Sequence, residues 1–244
     1  MRVPRRARPV LAQLLLLPAL AGADASAQPL PGEAARDQKI ARLVATTEAS
    51  PKDVGSWHDL ATLLREAGRW DQAIDAETRA IELHPKYAVA FYGRGVARME
   101  KRDYRAAGED FTAAIALWES RGGVEWFITT ERPRPEYVDS YRDRGVALAH
   151  QGKLTAAVTD LGTALRLRPD DPRLLFEQGH LLEKAGRPAE AVADFRRAGL
   201  VRAEAGDAAG ARACAERLRK LDATKAAAEV EGKLVPAPRG TDPP

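Results

Sequence analysis

The stretch "VDSYRDRGVALAHQGKLTAAVTDLGTALRLRPDD", residues 138–171, reads as two amphipathic helices joined at Gly152. Gly145 interrupts the first of them, where a glycine costs about 1 kcal/mol relative to alanine. Sliding the stretch along the chain gives the reason. Ala61, Gly95 and Gly179 occupy the same place in other helices. Ala61 and Gly95 are 34 residues apart, as are Gly145 and Gly179, and the step from Gly95 to Gly145 is one such period plus 16. Twelve residues after each comes a second small residue (Ala73, Ala107, Ala157, Ala191), and seven further a third (Ala80, Ala114, Ala164, Ala198). Two helices per 34 residues, repeated, imply an all-α stacked array.

The best copy, "WHDLATLLREAGRWDQAIDAETRAIELHP", carries Trp57, Leu60, Ala61, Leu64, Gly68, Trp70, Ala73, Ala80 and Pro85 in register. The second keeps Phe91, Gly95, Tyr104, Ala107, Phe111 and Ala114. The third keeps Tyr141, Gly145, Leu148, Gly152, Ala157, Ala164 and Pro169. The fourth keeps Leu175, Gly179, Leu182, Gly186, Ala191, Phe195 and Ala198. These residues resemble the tetratricopeptide repeat family. The resemblance implies a right-handed α-solenoid of four helix pairs, A and B, over residues 54–205 (54–87, 88–121, 138–171 and 172–205).

The packing logic stands without the family. Small residues on A and B let two helix axes approach closely, ridge into groove, while Leu, Phe, Trp and Tyr fill the layers between pairs. Gly145 is thus a packing device. Leucine there is expected to overpack, and alanine to be tolerated, since Ala61 fills the equivalent place.

Two departures stand out. Glu77 replaces a large apolar residue, and Glu119 stands where Pro85 and Pro169 end other helices. The second marks an insertion over residues 122–137, "GGVEWFITTERPRPEY". Its glycines stop a helix, and Pro133 and Pro135 favour extended backbone. Trp126, Phe127 and Ile128 give it apolar weight. Either it folds these onto the array, or it contacts a partner, as long loops often do.

Residues 28–53 form a linker and an N-terminal capping helix ending before Pro51. Residues 206–231 read as one charged C-terminal capping helix with Leu218 and Leu221 facing the stack, and 232–244 as a disordered tail. Such caps close the open ends of an array. Cys214, the single cysteine, rules out an internal disulfide and reads as a small apolar filler, with an intermolecular disulfide as the alternative.

Residues 1–27 read as a signal peptide. Arg2, Arg5, Arg6 and Arg8 precede the apolar run 10–22, and small residues at Ala25 and Ala27 place cleavage after Ala27. The competing reading, an uncleaved anchor, needs roughly 20 apolar residues. A periplasmic or secreted location is expected. Cleavage would remove four of the 38 Lys+Arg and one of the 35 Asp+Glu, leaving 34 of each. The basic balance therefore points to no nucleic-acid partner.

Nothing in the sequence arranges chemistry. His58, His84, His150 and His180 lack metal-ligand spacing, and Cys214 has no partner residue. No catalytic residue, metal or cofactor is expected, and the chain does not read as an enzyme. The resemblance implies instead that the A helices line a concave groove for a partner protein or peptide. Its groove positions fall on His58, Thr62 and Arg65; Tyr92, Val96 and Met99; Arg142, Val146 and His150; and Phe176, His180 and Lys184. Tyr92, Met99 and Phe176 stand out, because an apolar residue on an exposed face asks for a partner. A clamp for acidic tails is disfavoured, since no asparagine occupies the matching positions. The reading is an interaction scaffold of the cell envelope; the rival is an accessory module for cell-wall glycan or another non-protein ligand.

Overall fold

The computed structural model describes residues 31–120 and 134–234. The signal segment, the insertion's Trp126, Phe127 and Ile128, and the tail beyond residue 234 lie outside the described residues. What is described is all-α, with eleven helices and no strand among the described residues. The chain divides into two compact units, residues 1–117 and 118–244.

The first unit holds α1 (Pro31–Ala49), α2 (Val54–Glu66), α3 (Trp70–Leu83), α4 (Ala88–Glu100) and α5 (Tyr104–Glu119), the last two residues of α5 counting with the second unit. Asp53 starts α2 by accepting from the Gly55 amide, satisfying an otherwise orphaned donor. The core joins Ile40 of α1 to Trp57, Leu60, Ala61 and Leu64 of α2, and to the alanines of α3 and α4. The cap α1 thus covers α2 with one apolar edge and leaves its other residues largely exposed.

The second unit holds α6 (Pro135–His150), α7 (Leu154–Leu167), α8 (Pro172–Lys184), α9 (Pro188–Glu204), α10 (Ala208–Lys220) and α11 (Thr224–Gly232). Its core runs from Val158 and Leu161 of α7 through Leu181, Leu182 and Phe195 to Leu218 of α10 and Val230 of α11. Two expectations are corrected here. The insertion was expected to run through residue 137 with Pro135 extended. Pro135 instead opens α6 at a first-turn position, where its fixed φ and missing N–H suit a helix. Tyr137 is buried and packs on Trp118 and Tyr141.

The expected single helix over 206–231 is two helices, breaking at Asp222 with φ 58°. They are a fifth, shorter pair in register with α8 and α9 at a spacing of 36 rather than 34. Ala215 and Leu218 repeat Gly179 and Leu182, and Ala227 repeats Ala191. Leu218 is fully buried and Leu221 packs against it from the edge. Cys214 is a buried free thiol beside Leu175 and Ala198, and burial pushes its pKa up.

Every A-to-B turn uses a left-handed residue: Gly68, Gly152 and Gly186 where glycine is present, but Arg102 and Asp222 in the other two pairs. All three small-residue positions hold as packing sites. The alanines at the second and third are fully buried in all four repeats, and Gly95, Gly145 and Gly179 are buried too.

At Gly145 the packing is tighter than expected. A Cβ there would overlap Leu161 Cδ1 and lie 3.1 Å from the Ala157 carbonyl oxygen. At Gly95 and Gly179 a Cβ would meet the rings of Phe111 and Phe195, 2.6 and 2.8 Å away. Alanine at 145 therefore requires Leu161 to shift its Cδ1, a demand the sequence alone did not reveal. Ala61 is accommodated because its opposite number is Glu77, not a leucine or phenylalanine.

Candidate functional site

On α2, His58, Thr62 and Arg65 follow the i, i+4, i+7 spacing that places three side chains on one helix face. On α4, which touches α2, Tyr92, Val96 and Met99 do the same. All six are half-buried. The first unit thus sets a polar stripe beside an apolar one.

The polar stripe has a buried foundation. Glu77 of α3 is fully buried, and His58 Nδ1 donates to both its carboxylate oxygens at 3.0 and 3.1 Å. Room for that carboxylate comes from Gly93 of α4, where a Cβ would collide with it and come within 2.9 Å of Glu77 Cδ. The Tyr87 ring stands edge-on to the imidazole at 5.5 Å. Burial pulls the His58 pKa down, but the hydrogen bond and charge of Glu77 outweigh it and the net shift is upward. Burial also raises the Glu77 carboxyl, against the opposing pull of His58. Arg65 Nη2 donates to Thr62 Oγ1 at 3.3 Å, while its Nε is buried without an acceptor.

The second unit's face differs. Arg142 of α6 is gripped by Asp143 at 2.8 Å and Asp139 at 3.4 Å, so its charge is answered within its own helix. Val146 is half-buried and His150 is exposed. Phe176 of α8 has intramolecular partners rather than a bare face: His180 at 4.6 Å, Phe195 at 5.4 Å and the Arg202 guanidinium at 5.0 Å. Its standing as an unpartnered anchor is corrected accordingly. His180 Nδ1 reaches Glu183 at 3.3 Å, and burial with the nearby Arg217 charge lowers its pKa. Lys184 is exposed.

Two features escaped the sequence reading. The fifth pair supplies a further A helix, α10, whose Arg217 pairs with Glu183 of α8 and lies 5.9 Å from the Phe195 ring centre. The other is a set of A-to-B polar pairs sixteen residues apart. Arg94 pairs with Asp110 at 2.7 Å, helped by Arg98 at 2.8 Å, and Arg144 pairs with Asp160 at 2.7 Å. In the fourth repeat Gln178 takes the arginine's place, with its side-chain amide 3.0 Å from Asp194 Oδ2. Lacking a cation there, Asp194 has its pKa raised by burial to about 6. The recurring sixteen-residue step between Arg and Asp was available as a signal.

Among the described residues no group of three His, Cys, Asp or Glu could hold a metal, and no helix is long and apolar enough to cross a membrane.

The comparisons with known proteins agree with this architecture. A tetratricopeptide repeat model matches residues 58–122 and 142–201, just over half of the chain. Protein FlbA of Caulobacter vibrioides is 26% identical over 145 residues, which are 58% of this chain and 22% of that protein. The chain thus spans about a fifth of that relative's length. Among solved structures, MamA superposes with a TM-score of 0.62 at 22% identity, over 72% of this chain and 94% of that one. YrrB, described as a TPR protein with an unusual peptide-binding site, gives 0.56 at 21% identity, over 78% and 89%. Both likenesses concern the fold. With five helix pairs among the described residues built on buried small residues, the chain belongs to the tetratricopeptide repeat family.

Proposed function

We propose that this protein is an exported scaffold of the bacterial cell envelope that binds a protein or peptide partner on the A-helix faces. The observation that carries the reading is the pairing in the first unit of the stripe His58, Thr62, Arg65 with the stripe Tyr92, Val96, Met99. A peptide laid along such a surface finds hydrogen-bonding groups and apolar contact together. That YrrB is described as having a peptide-binding site supports the reading by analogy of fold alone. Export rests on the segment 1–27, whose basic start, apolar run and small residues suit cleavage after Ala27.

One experiment addresses both parts. The tagged full-length precursor is expressed in a bacterium, recovered from the envelope fraction, sequenced at its N-terminus and probed for co-purifying proteins. Mature chain should begin at Gln28 and carry a reproducible partner. Val96→Glu and Val146→Glu together place a charge on each unit's face and should weaken capture at least tenfold, about 1.4 kcal/mol. Arg105→Glu, at an 86% exposed side chain on α5, is the control and should capture normally. Equal loss in the control, or full capture by the double variant, would sink the face as the recognition surface. A retained Arg2 on membrane-bound protein would sink export.

A further inference from the structure

Glu77 has no place in the repeat's packing scheme. The equivalent B-helix positions hold Phe111, Leu161 and Phe195, all fully buried apolar residues. A carboxylate at such a site costs several kcal/mol to desolvate unless it is paired. Here it is paired with a single group, His58, whose side chain remains 22% exposed. Gly93 keeps the space open from α4. Among the described residues the second ring nitrogen of His58, Nε2, makes no hydrogen bond. The buried acid thus fixes the imidazole by Nδ1 and leaves Nε2 as a donor on a partly exposed side chain.

We propose that Glu77 is a positioning residue that holds His58 as an imidazolium on the face of α2, where with Thr62 and Arg65 it grips the carboxylates of an acidic peptide and lets go as pH rises. This rests on the reading of the face as the partner surface, and adds to it the partner's charge and a dependence on protons. The grip comes from the Glu77-held imidazolium and Arg65, and needs none of the asparagines whose absence disfavours the family's clamp for acidic tails.

The local charges favour an anion. His58 as imidazolium and Arg65 are two cations on one stripe, and Glu77 answers only one of them. Arg94 of α4, which also faces Glu77, is committed to Asp110 through three hydrogen bonds. Asp59, the next residue on α2, is exposed, so water and salt screen its charge. The charged groups of α1 that reach this helix pair lie elsewhere, with Arg36 on the Glu66 carbonyl and Asp37 on Arg69. The second unit's Arg142, held by two aspartates, offers no such excess.

The sign follows from the raised His58 pKa, above its ordinary 6.5. The raised pKa keeps the cation to higher pH than a free imidazole would, and the cation is lost as pH climbs through the raised value. Binding of an anion should therefore weaken as pH rises from 6 to 8.

The test uses the full chain with two capped peptides, acetyl-tetraglutamate-amide and acetyl-tetraglutamine-amide, at fixed ionic strength. Wild type should bind tetraglutamate at least tenfold more tightly at pH 6 than at pH 8, with tetraglutamine showing no such change. Glu77→Gln keeps the shape and one hydrogen bond but frees the histidine; its pH effect should shrink to threefold or less. NMR of the His58 ring in wild type provides a measurement independent of any variant's folding, since tetraglutamate should raise its pKa. No tetraglutamate binding at either pH, a flat pH profile, an unmoved His58 titration or an undiminished pH effect in Glu77→Gln each overturn the proposal. Should partner capture still fail in the Val96→Glu, Val146→Glu variant, the surface stands and only its proton-dependent acidic specificity falls.

Discussion

Helices α2 and α3 meet with Ala61 on one and Glu77 on the other. At the same two register positions α6 and α7 bring together Gly145 and Leu161. The adjacent positions differ in the opposite sense: Leu60 and Ala76 in the first repeat, Arg144 and Asp160 in the third. Each repeat therefore carries one apolar and one polar A-to-B contact, with the two exchanged. In the third repeat the ion pair sits at the edge of the interface, 21% and 9% exposed, and the apolar contact fills the middle. In the first repeat the apolar contact is complete and the acid lies beneath the A-helix face. The small-residue register thus fixes how closely two helices approach, while leaving free which of two neighbouring contacts carries charge.

The largest effect should come from crowding the third repeat. Gly145→Leu drives a side chain into Leu161 and the Ala157 carbonyl, and should cost about 3 kcal/mol, the upper part of the overpacking range. Gly145→Ala recovers about 1 kcal/mol of helix propensity, yet still overlaps Leu161, so a net loss of about 1 kcal/mol is expected. Denaturant midpoints at constant slope measure both. If alanine proves stabilising, Leu161 has room to move and the comparison with the first repeat loses its steric basis.

A smaller effect sharpens the same contrast by making the first repeat imitate the third. Glu77→Leu removes a buried carboxylate but strands its partner His58, a loss that usually destabilises, and sets leucine against the Ala61 methyl. Ala61→Gly alone opens space and loses helix propensity. Together they recreate the Gly145–Leu161 contact, so the double variant should be more stable than the sum of the two singles by about 1 kcal/mol, within the range of contacting pairs. Strict additivity would show that the small residue and its opposite number are chosen independently.

Much of this was legible because it is periodic. The alanines at 73, 107, 157 and 191, and at 80, 114, 164 and 198, could be placed in the core from their spacing, and all are there. The fifth pair was not read, for two physical reasons. Its turn has no glycine, since Asp222 adopts the left-handed conformation itself, as Arg102 does earlier. Its register is also shifted by the longer α9, so a period of 34 passes over it. The face positions fall on A helices, and each is half-buried or exposed. Their partners were not foreseeable from one helix at a time: His58 is defined by Glu77 nineteen residues on, and Phe176 by Phe195, His180 and Arg202.

The smallest expected effect concerns the fourth repeat, where the polar contact is present but incomplete. Asp194 stands where Asp110 and Asp160 stand, and faces Gln178 where they face arginine. Its carboxyl, raised from 3.8 to about 6 by burial, favours the folded state in its protonated form. That contribution is complete below pH 3.8 and is lost as pH rises through 6, so this site makes stability decline between those values. Gln178→Arg should supply the missing cation, lower the Asp194 pKa and flatten that decline. Because the pair is partly solvated, its gain at pH 7 should be modest, about 0.5–1 kcal/mol. Melting curves of wild type and variant from pH 4 to 7 read both quantities. The two curves should converge at pH 4, where Asp194 is largely protonated in the native wild type, and separate as pH rises. A constant offset across the whole range would mean that the arginine acts through packing, and that the sixteen-residue pairing contributes nothing electrostatic in this repeat.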